Sequence, residues 1–285
     1  MSSLQIRPAT RQEFATAIDW AAAEGWNPGL DDLAAFHAAD PAGFLMGFVD
    51  GEAISSISVV RYGAAYGFLG FYIVHPDHRG TGAGIATWNA GMEHLSGRTV
   101  GLDGVVDQQE NYRKSGFVLA GRNIRYTGVP AFRNSGNATV RRAATGDLEN
   151  IIAYDRRHFP ADRPTFLREW VLPADPATRR TTLIAIGEGN IAGQGTIRAC
   201  RDGFKIGPLF AESRNTAETL FAALCHRVPR TAAVSLDVPE DNPQAVDLAT
   251  TAGLSPVFET ARMYRGEAPD LPLSNIYGIT TFELG

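Results

Sequence analysis

Landmarks in the first half of the sequence return, in the same order, in the second. Ile6-Arg7-Pro8-Ala9-Thr10, followed by Phe14, is answered by Val140-Arg141-Arg142-Ala143-Ala144, followed by Leu148. Each reads as a short strand running into an amphipathic helix. Gly51-Glu52-Ala53-Ile54 with Ile57 is answered by Gly189-Asn190-Ile191-Ala192 with Ile197, each a turn glycine ahead of a strand. Leu102-Asp103-Gly104-Val105 matches Leu236-Asp237-Val238-Pro239, Gly116-Phe117 matches Gly253-Leu254, and Arg125-Tyr126-Thr127-Gly128 matches Met263-Tyr264-Arg265-Gly266. The spacing stays near about 135 residues throughout. Several matches in register argue for a duplicated domain, with copies at 1–131 and 138–285. Phe132-Arg133-Asn134-Ser135-Gly136-Asn137 between them has linker chemistry. A chain of 285 residues is comfortable for two such domains.

Periodicity places the elements. Ile85, Trp88, Met92 and Leu95 fall on one face of a helix over residues 84–96, as do Leu220, Phe221, Leu224, Cys225 and Val228 in the second half. Asn242 and Pro243 form an N-cap and first-turn proline, with Gly253 as the stop. Asp107 with Glu110 suggests another helix start, ended by Gly116. Strands are expected over residues 44–49, 53–61, 68–74, 99–105 and 117–126. The fold class that follows is α/β, a mixed sheet with helices on its faces.

A net charge of -5 without clustered Lys and Arg argues against general nucleic-acid binding. Cys200 and Cys225 make neither a metal-ligand spacing nor a disulfide framework, so no metal is expected. The start, MSSLQIRPAT, has no apolar signal core, and the longest uncharged apolar stretch, residues 63–74, is too short to span a bilayer. The expectation is a cytoplasmic protein with no membrane partner; nothing in the sequence sets an oligomeric state.

The segment Phe71-Tyr72-Ile73-Val74-His75-Pro76-Asp77-His78-Arg79-Gly80-Thr81-Gly82-Ala83-Gly84 carries the chemistry. A strand ends, a proline blocks its continuation, and a glycine turn opens a helix. Glycines let backbone N–H groups approach a ligand without interposed Cβ atoms. A helix N-terminus adds unsatisfied donors and partial positive charge, and Arg79 adds a cation. The fitting ligand is a pyrophosphate; the alternative is a turn with structural work only. A Walker A loop needs a terminal Gly-Lys-Ser/Thr, absent here. A dinucleotide fold needs its glycines after the first strand.

Arg79-Gly80-Thr81-Gly82-Ala83-Gly84, preceded by Val74-x-Pro76, resembles the Gln/Arg-x-x-Gly-x-Gly/Ala donor loop of the GNAT acetyltransferases. Tyr112-Arg113-Lys114-Ser115-Gly116-Phe117 is similar to that family's Tyr-x-x-x-Gly-Phe. Glu24-Gly25-Trp26-Asn27-Pro28-Gly29, residues 101–105 and the terminal Thr281-Phe282-Glu283-Leu284-Gly285 resemble the YitH-type tandem branch. The resemblance implies two GNAT-like domains, with acetyl-CoA as co-substrate and a small-molecule amine as acceptor. The pyrophosphate would lie on Arg79, Gly80, Thr81, Gly82, Ala83 and Gly84, and the pantetheine arm along Ile73 and Val74. Tyr112 would protonate the leaving thiolate, and Trp26 and Asn27 would line the acceptor cleft. Among Glu24, Asp31, Asp32 and Asp103 as candidate bases, Asp103 stands out, because a carboxylate inside an apolar strand is costly unless paired or used. His75 and His78 read as exposed loop residues.

One departure is that Val105 stands where the family has the first residue of Asn-x-x-Ala, seven positions before the tyrosine. In the second half Asn242-Pro243-Gln244-Ala245 keeps that motif, yet Ala249 stands at the tyrosine position, and Glu212, Asn215 and Ala217 replace Arg79, Gly82 and Gly84. The second domain is therefore expected to be degenerate, without a donor site, and to wall the acceptor cleft or dock a partner. Two other activities remain open from the residues: acetylation of protein lysines or N-termini, and CoA sensing without catalysis.

Overall fold

The computed structural model describes residues 3–131 and 139–285; the expected linker lies outside them. The first half runs β1 (Gln5–Pro8), α1 (Arg11–Ala23), α2 (Asp32–Ala39), β2 (Phe44–Val49), β3 (Glu52–Tyr62), β4 (Tyr66–Val74), α3 (Ala83–His94), β5 (Thr99–Val105), α4 (Gln109–Lys114) and β6 (Val118–Gly128). The second repeats this order: β7 (Thr139–Arg142), α5 (Leu148–Asp155), α6 (Pro164–Val171), β8 (Arg180–Gly187), β9 (Asn190–Ala199), β10 (Phe204–Ala211), α7 (Arg214–Cys225), β11 (Val234–Pro239), α8 (Pro243–Thr251) and β12 (Ser255–Arg265). An extra short strand, β13 (Ile276–Gly278), follows.

Local chemistry sets the boundaries. Thr10 and Glu13 close a capping box on α1, and Arg7 holds Glu13 in place at 2.7 Å. Asn242 caps α8, and Gly253 past its end has φ +81°, a left-handed value suited to glycine. One expectation holds in part: the helix ended by Gly116 is present, but α4 begins at Gln109, behind a 3-10 turn over Val106–Gln108, with no side-chain cap from Asp107. Another fails. Ile85 points outward, 60% exposed, because Thr87, Trp88 and Gly91 supply the inner face of α3.

All but one of the strands follow one another in a single sheet, ordered β1-β2-β3-β4-β5-β12-β6-β11-β10-β9-β8-β7. The centre of that order is not sequential. β12, from the second half, pairs antiparallel with β5 of the first, and β6, from the first half, pairs antiparallel with β11 of the second. Each half has given its last strand to the other.

Each exchanged strand carries an arginine that meets an aspartate on the strand receiving it. Arg262 on β12 lies opposite Asp103 and grips it with two bonds, 2.8 and 2.6 Å. Arg125 on β6 lies opposite Asp237 and does the same at 2.7 and 2.9 Å. All four side chains are buried or nearly so. Burial opposes the charge on Asp237, yet Arg125 outweighs it and holds the carboxyl below its usual range. The halves also share a core. Phe36 stacks on Trp170 at 6.0 Å, Tyr62 meets Phe159 edge-on at 4.9 Å, and Asp32 takes Arg198 at 2.9 Å in the seam.

Removing one member of a buried fork leaves the other charge without its partner, at a cost of about 3–5 kcal/mol. Arg262→Leu should lower stability by that amount in urea unfolding, and Asp103→Leu combined with it should recover most of the loss. A single variant as stable as the parent would contradict the role given to the fork.

Candidate active site

β4 and β5 run parallel and pair from Tyr66↔Thr99 to Leu69↔Leu102, and there the register ends although both strands continue. The two strands part. On its other side β4 stays joined to β3 through Ile73↔Ser56 and Val74↔Ser55, with a bulge at Phe71, whose φ is +45°. Ser56 Oγ donates to the Phe71 carbonyl at 2.8 Å, fixing the bulge. The His75 N–H bonds back to the Ile54 carbonyl on β3, so the intervening Val74 turns its backbone to the opposite edge, where Arg79 Nε takes its carbonyl and its N–H faces the gap.

The glycine turn lies at the end of β4. Gly80 and Gly82 have φ of +80° and +90°, and no heavy atom lies within 4 Å of where a Cβ would stand on either. Conformation, with open space around it, is what selects glycine here. Gly84 is glycine for a different reason: a Cβ there would sit 3.0 Å from the Tyr72 hydroxyl oxygen and from a Val74 methyl. Gly82 is the N-cap of α3 and offers no side-chain bond to its first N–H groups. Those donors remain available to an anion. Thr81 Oγ1 donates to the His78 carbonyl at 2.7 Å, holding the turn. Arg79 donates from Nε to the Val74 carbonyl at 3.1 Å and from Nη2 to Glu24 at 2.7 Å, both in exposed positions. His75 and His78 are half-exposed beside it.

Tyr112 lies across the same gap from β4. Its ring stacks on Trp88 at 5.8 Å, and Trp88 meets Tyr72 at 5.3 Å. A Cβ on Gly104 would lie 2.2 Å from the Tyr112 ring, so β5 needs a glycine for this tyrosine to pack. Burial pushes the Tyr112 phenol up to about 12, with Tyr72 adding to it. The group thus keeps its proton at neutral pH, the state a proton donor requires.

The other expected site residues are engaged elsewhere. Asp103 is enclosed by Arg262 and by Asn123, whose amide donates at 2.7 Å. Burial raises its carboxyl while those two partners draw it down. It locks β12 in place and has no free oxygen facing the gap, which corrects its reading as the base. Asn27 is turned to the second half: its Nδ2 donates to the Asp202 carbonyl at 2.9 Å and its Oδ1 accepts from the Asp202 N–H. The carbonyls of Trp26 and Asn27 accept from Arg125 at 2.8 Å and Lys205 at 2.9 Å. Asp31 accepts the Arg179 N–H and Asp32 is held by Arg198. Of the four candidate carboxylates, Glu24 and Asp31 sit in exposed pairs, with Arg79 and Arg179, and Glu24 is the one paired to the glycine turn.

The second half repeats the parting and then fills it. β10 and β11 pair in parallel only as far as Ile206↔Leu236. Beyond that β13 lies antiparallel on β10, through Leu209↔Gly278 and Phe210↔Ile276, and the Ile279 N–H donates to the Asp237 carbonyl on β11. The place where the first half leaves two bare strand edges is closed by the chain's own backbone. Asn242 clamps this strap, donating from Nδ2 to the carbonyls of Leu273 and Ile276 at 2.9 and 3.0 Å. The neighbouring helix start is also closed: Ser213 caps α7, and Glu212 pairs with Arg157 at 2.9 Å. Sequence reading missed this strap, since three residues give no measurable periodicity. The retained Asn242 was the available signal.

Family models for the acetyltransferase (GNAT) family and the acetyltransferase (GNAT) domain match residues 10–117 and 151–278 respectively. A protein of Pseudoalteromonas sp. (strain SANK 73390), named holothin acyltransferase, is 33% identical over 279 residues, covering 98% of this chain and 94% of that protein. The chain belongs to the GNAT acetyltransferase family. It is an acyltransferase with two GNAT domains in tandem. Among solved structures, a Pyrococcus horikoshii protein assigned to the acetyltransferases superposes with a TM-score of 0.81 at 22% identity, over 100% of this chain and 97% of that one. The tandem GNAT protein from the clavulanic acid biosynthesis pathway gives 0.61 at 15% identity, over 94% and 100%. At these identities the likeness is one of fold.

The clamp at Asn242 makes a direct prediction for this GNAT pair. Asn242→Ala removes a cap and the strap's bonds, together worth about 1–2 kcal/mol. Amides of residues 273–279 should then exchange with deuterium roughly tenfold faster, while those of β4 and α3 stay unchanged. Unaltered exchange in the strap would contradict the clamp.

Proposed function

We propose that the chain transfers an acetyl group from acetyl-CoA to the primary amine of a small molecule, by direct attack of the amine on the thioester. The observation that supports this reading best is the parting of β4 and β5 beside a helix start whose glycines leave backbone N–H groups bare. In this reading the CoA pyrophosphate lies on Arg79, Gly80, Thr81, Gly82, Ala83 and Gly84, and the pantetheine arm lies along the strand at Ile73 and Val74, displacing Arg79 from the Val74 carbonyl. The branch we assign is the YitH-type tandem, in a cytoplasmic setting.

Tyr112 has the protonation state for its proposed task. As the neutral amine nitrogen bonds to the acyl carbon and the C–S bond breaks, the sulfur takes up the pair and a proton from the phenol, and the proton that the acylated nitrogen gives up returns through water to the phenolate. With its proton held to about pH 12, Tyr112 contributes no fall in rate across the neutral and mildly alkaline range. For the amine we turn to Glu24. A pyrophosphate on Arg79 competes with Glu24 for the guanidinium, and donor binding then leaves that carboxylate free near Trp26 to receive the acceptor's ammonium. Asp103 is given a structural role instead, and Asn27 a role in docking the halves. The relative named for holothin supports a small-molecule acceptor and makes holothin the first amine to try.

Thiol release from acetyl-CoA, followed with holothin and a panel of primary amines, tests the reading. The rate should depend on amine. Tyr112→Phe should lower kcat about 10²-fold with unchanged donor binding, and Glu24→Gln should raise acceptor KM more than it lowers kcat. CoA binding without amine-dependent release would instead support a sensor, and release only with peptides would support a protein acetyltransferase.

A further inference from the structure

The connection between α1 and α2, residues 24–31, belongs to the first half, yet its irregular backbone is held from the second half and from β6, which lies beside β11. Carbonyls outside regular structure need donors from elsewhere. Arg125 on β6 donates to the Trp26 carbonyl at 2.8 Å. Lys205 on β10 donates from Nζ to the carbonyls of Asn27, at 2.9 Å, and Trp26, at 3.4 Å. Arg198 on β9 takes the Asp32 carboxylate at 2.9 Å, and Arg180 on β8 reaches the Asp31 carbonyl at 3.3 Å. Gly29 bridges to Cys200, and the Leu30 N–H donates to the Ala199 carbonyl at 2.9 Å. Asn27 has φ +49°, a left-handed value that asparagine tolerates, and the Asp202 backbone holds its side-chain amide through both N–H and carbonyl.

Lys205 stands apart in this set. Of the chain's basic residues only Lys114 and Lys205 are lysines. Arg125, Arg163 and Arg262 each spread a planar fork over a buried carboxylate. Lys205 instead bonds two successive backbone carbonyls, a geometry that a compact ammonium with three donors can meet. It is 1% exposed, and burial lowers its pKa, with the neighbouring Arg125 adding to that effect. A cation held at such cost is bonded to one structure, the α1–α2 connection. At the near end of the same connection Glu24 pairs with Arg79 of the glycine turn at 2.7 Å.

One short connection thus meets the donor turn through Glu24 and the second half through Lys205. We infer that Lys205 is a positioning residue for the acceptor: by fixing the Trp26 and Asn27 carbonyls it sets Glu24 and Trp26 where the amine is received. The half without a donor loop then governs how well the acceptor binds. This inference rests on the reading of Glu24 as the group that receives the acceptor's ammonium. In this role Lys205 acts through the loop, makes no contact with either substrate, and neither gains nor loses a proton in the reaction.

Lys205→Met in the full chain keeps most of the apolar stem and removes the donors. Amides of Gly29 and Leu30 should then exchange with deuterium about tenfold faster, while CoA binding measured by calorimetry stays at the parent value. With acetyl-CoA and holothin, acceptor KM should rise about tenfold, with kcat changed less. Asn27→Gly, which keeps the left-handed backbone and releases Asp202, should move acceptor KM the same way, and it decides the matter if the buried variant does not fold. Thiol release by the parent that does not depend on amine would overturn the reading of the site, and this inference with it. Amine-dependent release by the parent, with a parental acceptor KM in both variants, would overturn this inference alone. So would a rise in KM matched by an equal weakening of CoA binding, which would make Lys205 a general support of the fold.

Discussion

Two buried Asp–Arg forks hold this molecule together as one body. Asp103 with Arg262, and Asp237 with Arg125, each join a strand to one exchanged from the opposite half. A buried ion pair contributes little net stability over an apolar pair, but a mismatched one is costly. That asymmetry suits register. Sliding either exchanged strand by one residue would turn its arginine to the opposite face and strand an aspartate in the core. The forks therefore specify which strand sits beside β5 and which beside β11. The position of β5 in turn fixes where it leaves β4.

From that frame the duplicated halves diverge. Both part their parallel strands after a few residue pairs. In the first, glycines with positive φ and an uncapped helix start leave backbone donors open beside the gap. In the second, a serine caps the helix, a glutamate takes an arginine, and the chain's own β13 completes the sheet. One half leaves its strand edges apart, and the other satisfies the same edges internally. The buried seam between them, with Asp32, Arg198, Arg125 and Lys205 bonded across it, joins the closed half to the open one.

Much of this was legible in the sequence because it is local. The glycine turn, the capped start at Asn242 and the strands at 44–49 and 99–105 each depend on neighbours in the chain. The duplication was visible as repeated order. The exchange of β6 and β12 was not, since either strand satisfies the same alternating pattern beside either partner. Asp103 shows the limit most clearly. A lone carboxylate in an apolar strand correctly announced a special environment, but its partner is 159 residues away, and only the fold could say that it was paired rather than reactive. Ile85 erred for a related reason: small residues, Thr87 and Gly91, supply the inner face that a hydrophobic pattern assigned to it.

The central claim is that a single donor site exists and that it lies at the first-half glycine turn. Titration calorimetry with CoA tests it most directly. The account predicts one CoA per chain, and no binding by Gly82→Asp. An aspartate there must adopt a left-handed backbone and sets a carboxylate against a pyrophosphate, repulsive by about 1 kcal/mol per close charge pair even in water. Two CoA per chain, or a Gly82→Asp protein that binds CoA as the parent does, would contradict it.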